Sequence, residues 1–185
     1  MINMTAIPTE LDLAGAGLVY QEMNPFSIAV RADGRRVRFF RSVEQTVASI
    51  AEVDRAEADA YRAFCAQAFL IVDAILPAVR GETSWRDGPR RAASVVRALR
   101  GGPLTTLRDV LGPYDSLLGR RLVSDLTRGP VAAFAAHASV GPASPGGALF
   151  AFWQAAYHRF GQWHARGGAQ ALADALVRRL AALGG

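Results

Sequence analysis

The chain has 185 residues, 51% of them hydrophobic and 20% charged, with a net charge of +5. That is globular composition, long enough for one domain with a real apolar core and too apolar for a disordered segment. All 21 basic residues are arginine, which excludes phosphate-loop NTPases and Schiff-base enzymes built from the chain's own residues, since both need a lysine amine.

The first forty residues read as strands and turns. Residues 18–21 and 26–31 are short β-prone runs, Ala32-Asp33-Gly34 is a turn signal, and residues 36–40 alternate polar and apolar. Residues 26–31 and 35–40 are expected to pair as a hairpin across Asp33-Gly34. From Ser42 the period becomes helical. Ser42-Val-Glu-Gln45 fits a capping box, and Asp54-Arg-Ala-Glu57 is a second helix start. The helix after it carries Tyr61, Phe64, Cys65, Ala68, Val72, Ile75, Leu76 and Val79 at spacings of three and four, the best core stripe in the chain. Residues 81–89 are a polar connection, and Pro89 opens a short basic amphipathic helix over residues 90–100. Further helices are expected over 105–111, 116–126, 130–139, 148–158 and 169–183, the last with a face of Leu172, Ala173, Leu176 and Leu180. The fold class is α+β and mostly helical: a small antiparallel sheet from residues 1–41, then helices over 42–185, one domain, and no Rossmann fold.

Several signals that suggest chemistry fail on their context. Gly15-Ala-Gly17 lacks the third glycine of a dinucleotide fingerprint, position 20 being Tyr, and reads as a turn. Ser144 has Pro142 where a nucleophile elbow needs glycine. His137, His158 and His164 lack metal-ligand spacing, so no metal is expected. Cys65 reads as a core thiol, and a single cysteine cannot close an internal disulfide. The arginines are scattered in pairs, as at 35–36 and 120–121, rather than gathered with exposed aromatics. An Arg-only, Ala- and Gly-rich composition is also what a GC-rich genome writes, so no nucleic-acid partner is expected. Residues 1–10 do not form a signal peptide. The most apolar stretch, residues 64–79, is interrupted by Gln67, Asp73 and Pro77 and falls short of the roughly 20 residues of a bilayer span. A soluble, cytoplasmic protein is expected.

The order of segments carries a resemblance. Thr9-Glu-Leu-Asp-Leu-Ala14 with Gly17-Leu18, a strand-turn-strand ending in Ala32-Asp-Gly-Arg35, and Arg41-Ser-Val-Glu-Gln-Thr-Val-Ala48 come first. Ala58-Asp-Ala-Tyr61 with Phe64 and Leu126-Thr-Arg-Gly-Pro-Val-Ala-Ala133 follow. Last come Pro142-Ala-Ser-Pro-Gly146 and Arg166-Gly-Gly-Ala-Gln-Ala-Leu-Ala-Asp-Ala-Leu176. Together they resemble the middle, substrate-domain segment of phytoene-desaturase-like FAD-dependent oxidoreductases of the flavin amine oxidase superfamily. The resemblance runs from about residue 5 to 183 and lacks both flavin-holding parts of the family pattern.

That resemblance implies an apolar cavity over a flavin ring that a separate flavin-binding partner subunit or domain carries, with no FAD bound to this chain alone. It implies that Gly167 and Gly168 face the flavin, because glycines let backbone approach a flat ligand. Tyr157, Gln162 and Trp163 would lie near the substrate, with Phe150, Phe152 and Trp153 as cavity wall or ordinary core. No catalytic residue is assigned, His158 and His164 being the candidates by ordinary pKa. The implied chemistry is hydride removal from an apolar small molecule, and the chain alone is expected to be inactive. A competing expectation is a non-enzymatic binding protein for an apolar small molecule. Self-association of the isolated chain is expected, and residues 90–100 offer a peripheral contact with an anionic membrane.

Overall fold

The computed structural model describes residues 5–81, 84–138 and 140–185. A short helix α1 (Ile7–Glu10) opens it, where the sequence suggested only strands and turns; Pro8 in its first turn starts it. After a turn come β1 (Tyr20–Met23), β2 (Ser27–Val30) and β3 (Arg36–Phe39). The expected hairpin forms, with Ser27 opposite Phe39 and Val30 opposite Arg36. β1 takes no part in it. It pairs antiparallel with β4 (Gln162–Ala165), Tyr20 opposite Ala165 and Met23 opposite Gln162. The single N-terminal sheet expected from the sequence is thus two separate two-stranded sheets, one of which draws half its strands from the C-terminal region.

Both helix starts behave as their residues dictate. Ser42 caps α2 (Val43–Ala51) by accepting from the Gln45 N–H, and Asp54 caps α3 (Arg55–Val79) by accepting from the Glu57 N–H. The Glu57 side chain does not return to the cap. It is buried and accepts from the Val123 N–H, holding a distant loop. α3 continues through Pro77 to 25 residues, longer than the interrupted apolar stretch suggested, and by length and mean hydropathy it could cross a membrane. Its stripe of Tyr61, Phe64, Cys65, Ala68 and Ile71 is nevertheless closed inside the main core, so it serves here as the spine of the molecule.

The remaining helices surround that spine. They are α4 (Gly88–Leu99), preceded by a 3-10 turn, then α5 (Pro103–Leu111), α6 (Tyr114–Arg121) and α7 (Asp125–Ala136). The sequence placed these boundaries later, and the helix end expected at Ser139 lies outside the described residues, as do residues 82–83 of the polar connection. The apolar run from 148 is two short helices, α8 (Ala148–Trp153) and α9 (Ala156–Phe160), because hydrogen bonding tightens to i→i−3 between 154 and 158. Gly161 then turns the chain into β4 with φ 70°; a Cβ there would lie 2.6 Å from Glu22 Oε1 and 2.9 Å from Trp163 Nε1.

The C-terminal helix α10 (Gln170–Ala182) packs on a small core of its own, made by Leu13, Leu18 and Ala175. Its buried stripe is Ala171, Leu172 and Ala175 rather than the expected Leu172, Ala173, Leu176 and Leu180. The turn over residues 11–18 is too narrow to cover a wider face, so Val177 and Leu180 stay 65% and 59% exposed.

Candidate functional site

β2 and α7 diverge to leave a cavity of about 680 Å³, closed at its inner end by the α8–α9 junction and reaching Gln162 at the start of β4. That volume suits a small organic ligand. Ile28 and Val30 from β2 face Leu126, Pro130 and Ala133 from α7 across it. Its aromatic floor is built around Tyr157, whose ring lies 4.6 Å from Phe134, edge to face, and 5.8 Å from Phe26. Burial pushes the Tyr157 hydroxyl above its ordinary pKa. The uncharged polar lining is Ser27, Gln154, Tyr157 and Gln162, while Arg31, Asp125 and His137 add groups that can carry charge.

Behind the floor lies a buried polar chain that the sequence did not announce. The Tyr61 hydroxyl is 2.8 Å from His158 Nε2 and 3.4 Å from the Gln154 carboxamide, and His158 Nδ1 is 3.1 Å from the Arg41 carbonyl. Phe26 closes the His158 ring edge to face at 5.4 Å. Burial lowers the His158 pKa below 6.5, against the opposing pull of the Arg41 and Phe40 carbonyls, so the ring is neutral near pH 7. Burial also drives Tyr61 well above its ordinary value and the adjacent Cys65 thiol up to about 12. Cys65 is therefore an inert core thiol.

The residues singled out from sequence separate into distinct places. Gln162 and Tyr157 line the cavity. Phe152 is fully buried and stacked on Phe64 at 5.5 Å, Trp153 packs with Val72 and Ala156, and Phe150 is partly exposed; none of these lines the cavity. Trp163 donates from Nε1 to the Phe160 carbonyl at 2.6 Å and braces the Gly161 corner instead. His158 has both ring nitrogens engaged, and His164 points out from β4 opposite Gln21, so neither candidate base lines the cavity. Gly167 and Gly168 both take φ 88° and are exposed, with nothing within 4 Å of a Cβ at Gly168. They lead into α10, whose N-cap Ala169 supplies no side-chain cap. Among the described residues no cluster of His, Cys, Asp or Glu could hold a metal ion.

Among the cavity residues missed by sequence reasoning are Phe26, Ile28 and Val30 of the hairpin, Phe134 of α7 and Gln154. Only Ile28 and Val30 carried a local signal, the alternation along β2, which exposes large apolar side chains that a solvated strand face would not carry. Compared with known proteins, the sequence matches no family model and no curated protein.

Proposed function

We propose that this chain is the substrate-holding part of an FAD-dependent oxidoreductase acting on an apolar small molecule, with the flavin carried by a separate polypeptide or domain. The observation that carries the reading is the apolar cavity between β2 and α7, which reaches Gln162 at the start of β4, the strand from which the chain runs on to the open glycine pair. Gln162 stands at one end of that strand and Gly167 just past the other, a span of at most roughly 17 Å for five residues of extended chain.

The residues present fit one edge of a flavin and not the whole cofactor. At 167–168 the missing Cβ atoms leave backbone free to lie against a ring, and no side chain caps the first turn of α10, although its Ala171 and Leu172 N–H groups already donate to the Gly168 and Ala169 carbonyls. At Gly15–Gly17 the fit fails. The Gly15 N–H already donates to Asp12 Oδ1 at 3.2 Å, so a pyrophosphate there would meet a carboxylate. The flavin supplies the hydride-accepting chemistry. This chain's residues bind the substrate through Ile28, Val30, Pro130 and Phe134, orient it with Gln154, Tyr157 and Gln162, and exclude water. The uncovered Val177, Leu180 and Leu183, towards the far end of α10 from the glycine pair, give a partner an apolar surface to pack on, and give the isolated chain a face for self-association. Peripheral attachment to an anionic membrane on the cytoplasmic side, through α4, belongs to the same reading.

The test mixes the purified chain with a flavin-loaded polypeptide that opens with a Gly-rich dinucleotide fingerprint and is encoded beside it. A complex with flavin absorbance is expected, and Gly168→Val should weaken it at least tenfold while leaving ligand binding in the cavity unchanged. No complex with such a partner, together with an empty cavity, overturns the reading. A second reading, a non-enzymatic carrier, draws on the lining itself, which is largely apolar and includes neither candidate base, His158 nor His164. Tight ligand binding with no flavoprotein partner selects it.

A further inference from the structure

The polar chain behind the cavity fixes the polarity of the group that the cavity shows to its ligand. The Arg41 carbonyl can only accept, so His158 Nδ1, 3.1 Å away, carries a proton. His158 is buried at 7% exposure and neutral, so its Nε2 is an acceptor. The one donor within reach is the Tyr61 hydroxyl at 2.8 Å, and that phenol has a single proton to give. The Tyr61 oxygen is then left as an acceptor facing the Gln154 carboxamide at 3.4 Å. An orientation with Oε1 towards Tyr61 sets two acceptors against each other. Turning the amide by half a rotation puts Nε2 there and satisfies both groups without moving another atom. Gln154 itself is 1% exposed and lines the cavity, so the end of its carboxamide turned away from Tyr61 is the polar group it can offer there.

We infer that Gln154 presents its carbonyl oxygen to the cavity, and that the ligand is an apolar molecule bearing a hydrogen-bond donor, such as a hydroxyl group, rather than a pure hydrocarbon or an ether. Gln154 is the specificity-determining residue, and Tyr61 and His158 are positioning residues that act through it. Ser27, Tyr157 and Gln162 do not decide the matter, because a hydroxyl or an unrestrained amide can turn either a donor or an acceptor to the ligand. This inference rests on the cavity being the ligand site. A donor matched to a buried acceptor is selected more strongly than apolar fit alone selects, because a ligand without one leaves the acceptor unpaired.

The experiment uses the full chain and two fluorescent probes of nearly equal shape, 2-naphthol, which donates, and 2-methoxynaphthalene, which cannot. The wild-type protein should bind 2-naphthol about tenfold more tightly, the worth of one buried hydrogen bond. Gln154→Met should bind both alike, and Tyr61→Phe, which frees the amide to turn, should lose most of the preference. In the wild-type protein, which needs no variant to fold, the Gln154 side-chain amide protons should show NMR contacts to the Tyr61 ring. Equal binding of the two probes by the wild type, a preference that survives Gln154→Met, or amide protons that face the ligand instead of Tyr61 each overturn the inference while the cavity stands. Failure of both probes to bind overturns the inference and the cavity reading together.

Discussion

The helix pairs α3–α8 and α4–α5 draw on the same residue types and use them in opposite ways. In α3 and α8 the apolar side chains converge, and Phe64 and Phe152 stack with rings tilted by only 15° and neither more than 1% exposed. In α4 and α5, Val95, Val96, Leu107 and Leu111 face outward and Leu104 is 83% exposed. The arginine-rich α4 buries no residue at all. The cause is what each pair has for neighbours. α3 is ringed by α2, α6, α8 and the hairpin, whereas α4 packs on α3 and α5 at the edge of the molecule. An apolar stripe states a demand for cover, and topology decides which stripes receive it.

Stability measurements should separate the two regions sharply. Phe152→Ala leaves a large void against Phe64 and should cost about 3–5 kcal/mol, read as a lower urea midpoint. Val96→Ala should stay within about 0.5 kcal/mol. Losses of similar size would mean that α4 is covered in solution. Between these extremes lies Asp109, the anchor that keeps α5 attached. Its carboxylate is fully buried and accepts from Arg120 at 2.9 Å and Arg121 at 2.7 Å. Asp109→Ala should cost about 2 kcal/mol, since both guanidinium groups regain water. Burial alone would raise the Asp109 pKa, yet the hydrogen bonds from Arg121 and Arg120 hold it below 3.8. Its stabilising contribution is therefore full above that ordinary value and is lost as pH falls through the lower, folded one.

Local residue chemistry made the hairpin, both capped helix starts and the Cys65 stripe readable, because caps, turns and a period of 3.6 depend on neighbours in sequence. The β1–β4 pairing depended on Tyr20 finding Ala165, a contact that no local pattern encodes. The candidate site shows the same division. Tyr157 and Gln162 were reachable from sequence position, but the opposite wall at Ile28 and Phe134 exists only once β2 and α7 stand side by side. The Tyr61–His158 contact spans 97 residues, and nothing in the local sequence around either residue points to the other. Its presence can be checked by titration. The folded His158 pKa lies below 6.5, so the unfolded chain binds the extra proton first as pH drops. Stability should be full above about pH 6.5 and decline below it, by at most about 1.4 kcal/mol per pH unit, until the folded value is passed. His158→Gln should flatten that slope below about pH 6.5, as followed by urea melts across pH.

The smallest expected effect on stability is also the one that gives the exposed helices a role. Val95→Asp with Val96→Asp removes apolar side chains that are 45% and 57% exposed and belong to none of the hydrophobic core clusters, so stability read by urea melts should change by less than about 0.5 kcal/mol. The same pair of changes should abolish flotation of the wild-type chain with vesicles rich in anionic phosphatidylserine. Arg90, Arg97 and Arg100 flank the two valines on or beside α4, so attraction to headgroups and insertion of the valines add on one surface. Raising salt should weaken wild-type flotation, because screening removes the arginine share and leaves the apolar share. Flotation that persists in the double variant would move the contact elsewhere and leave α4 an ordinary solvated edge. A wild-type chain that never floats would leave α10, with the uncovered Val177 and Leu180 in its second half, as the exposed apolar helix face to which the proposed partner docking falls.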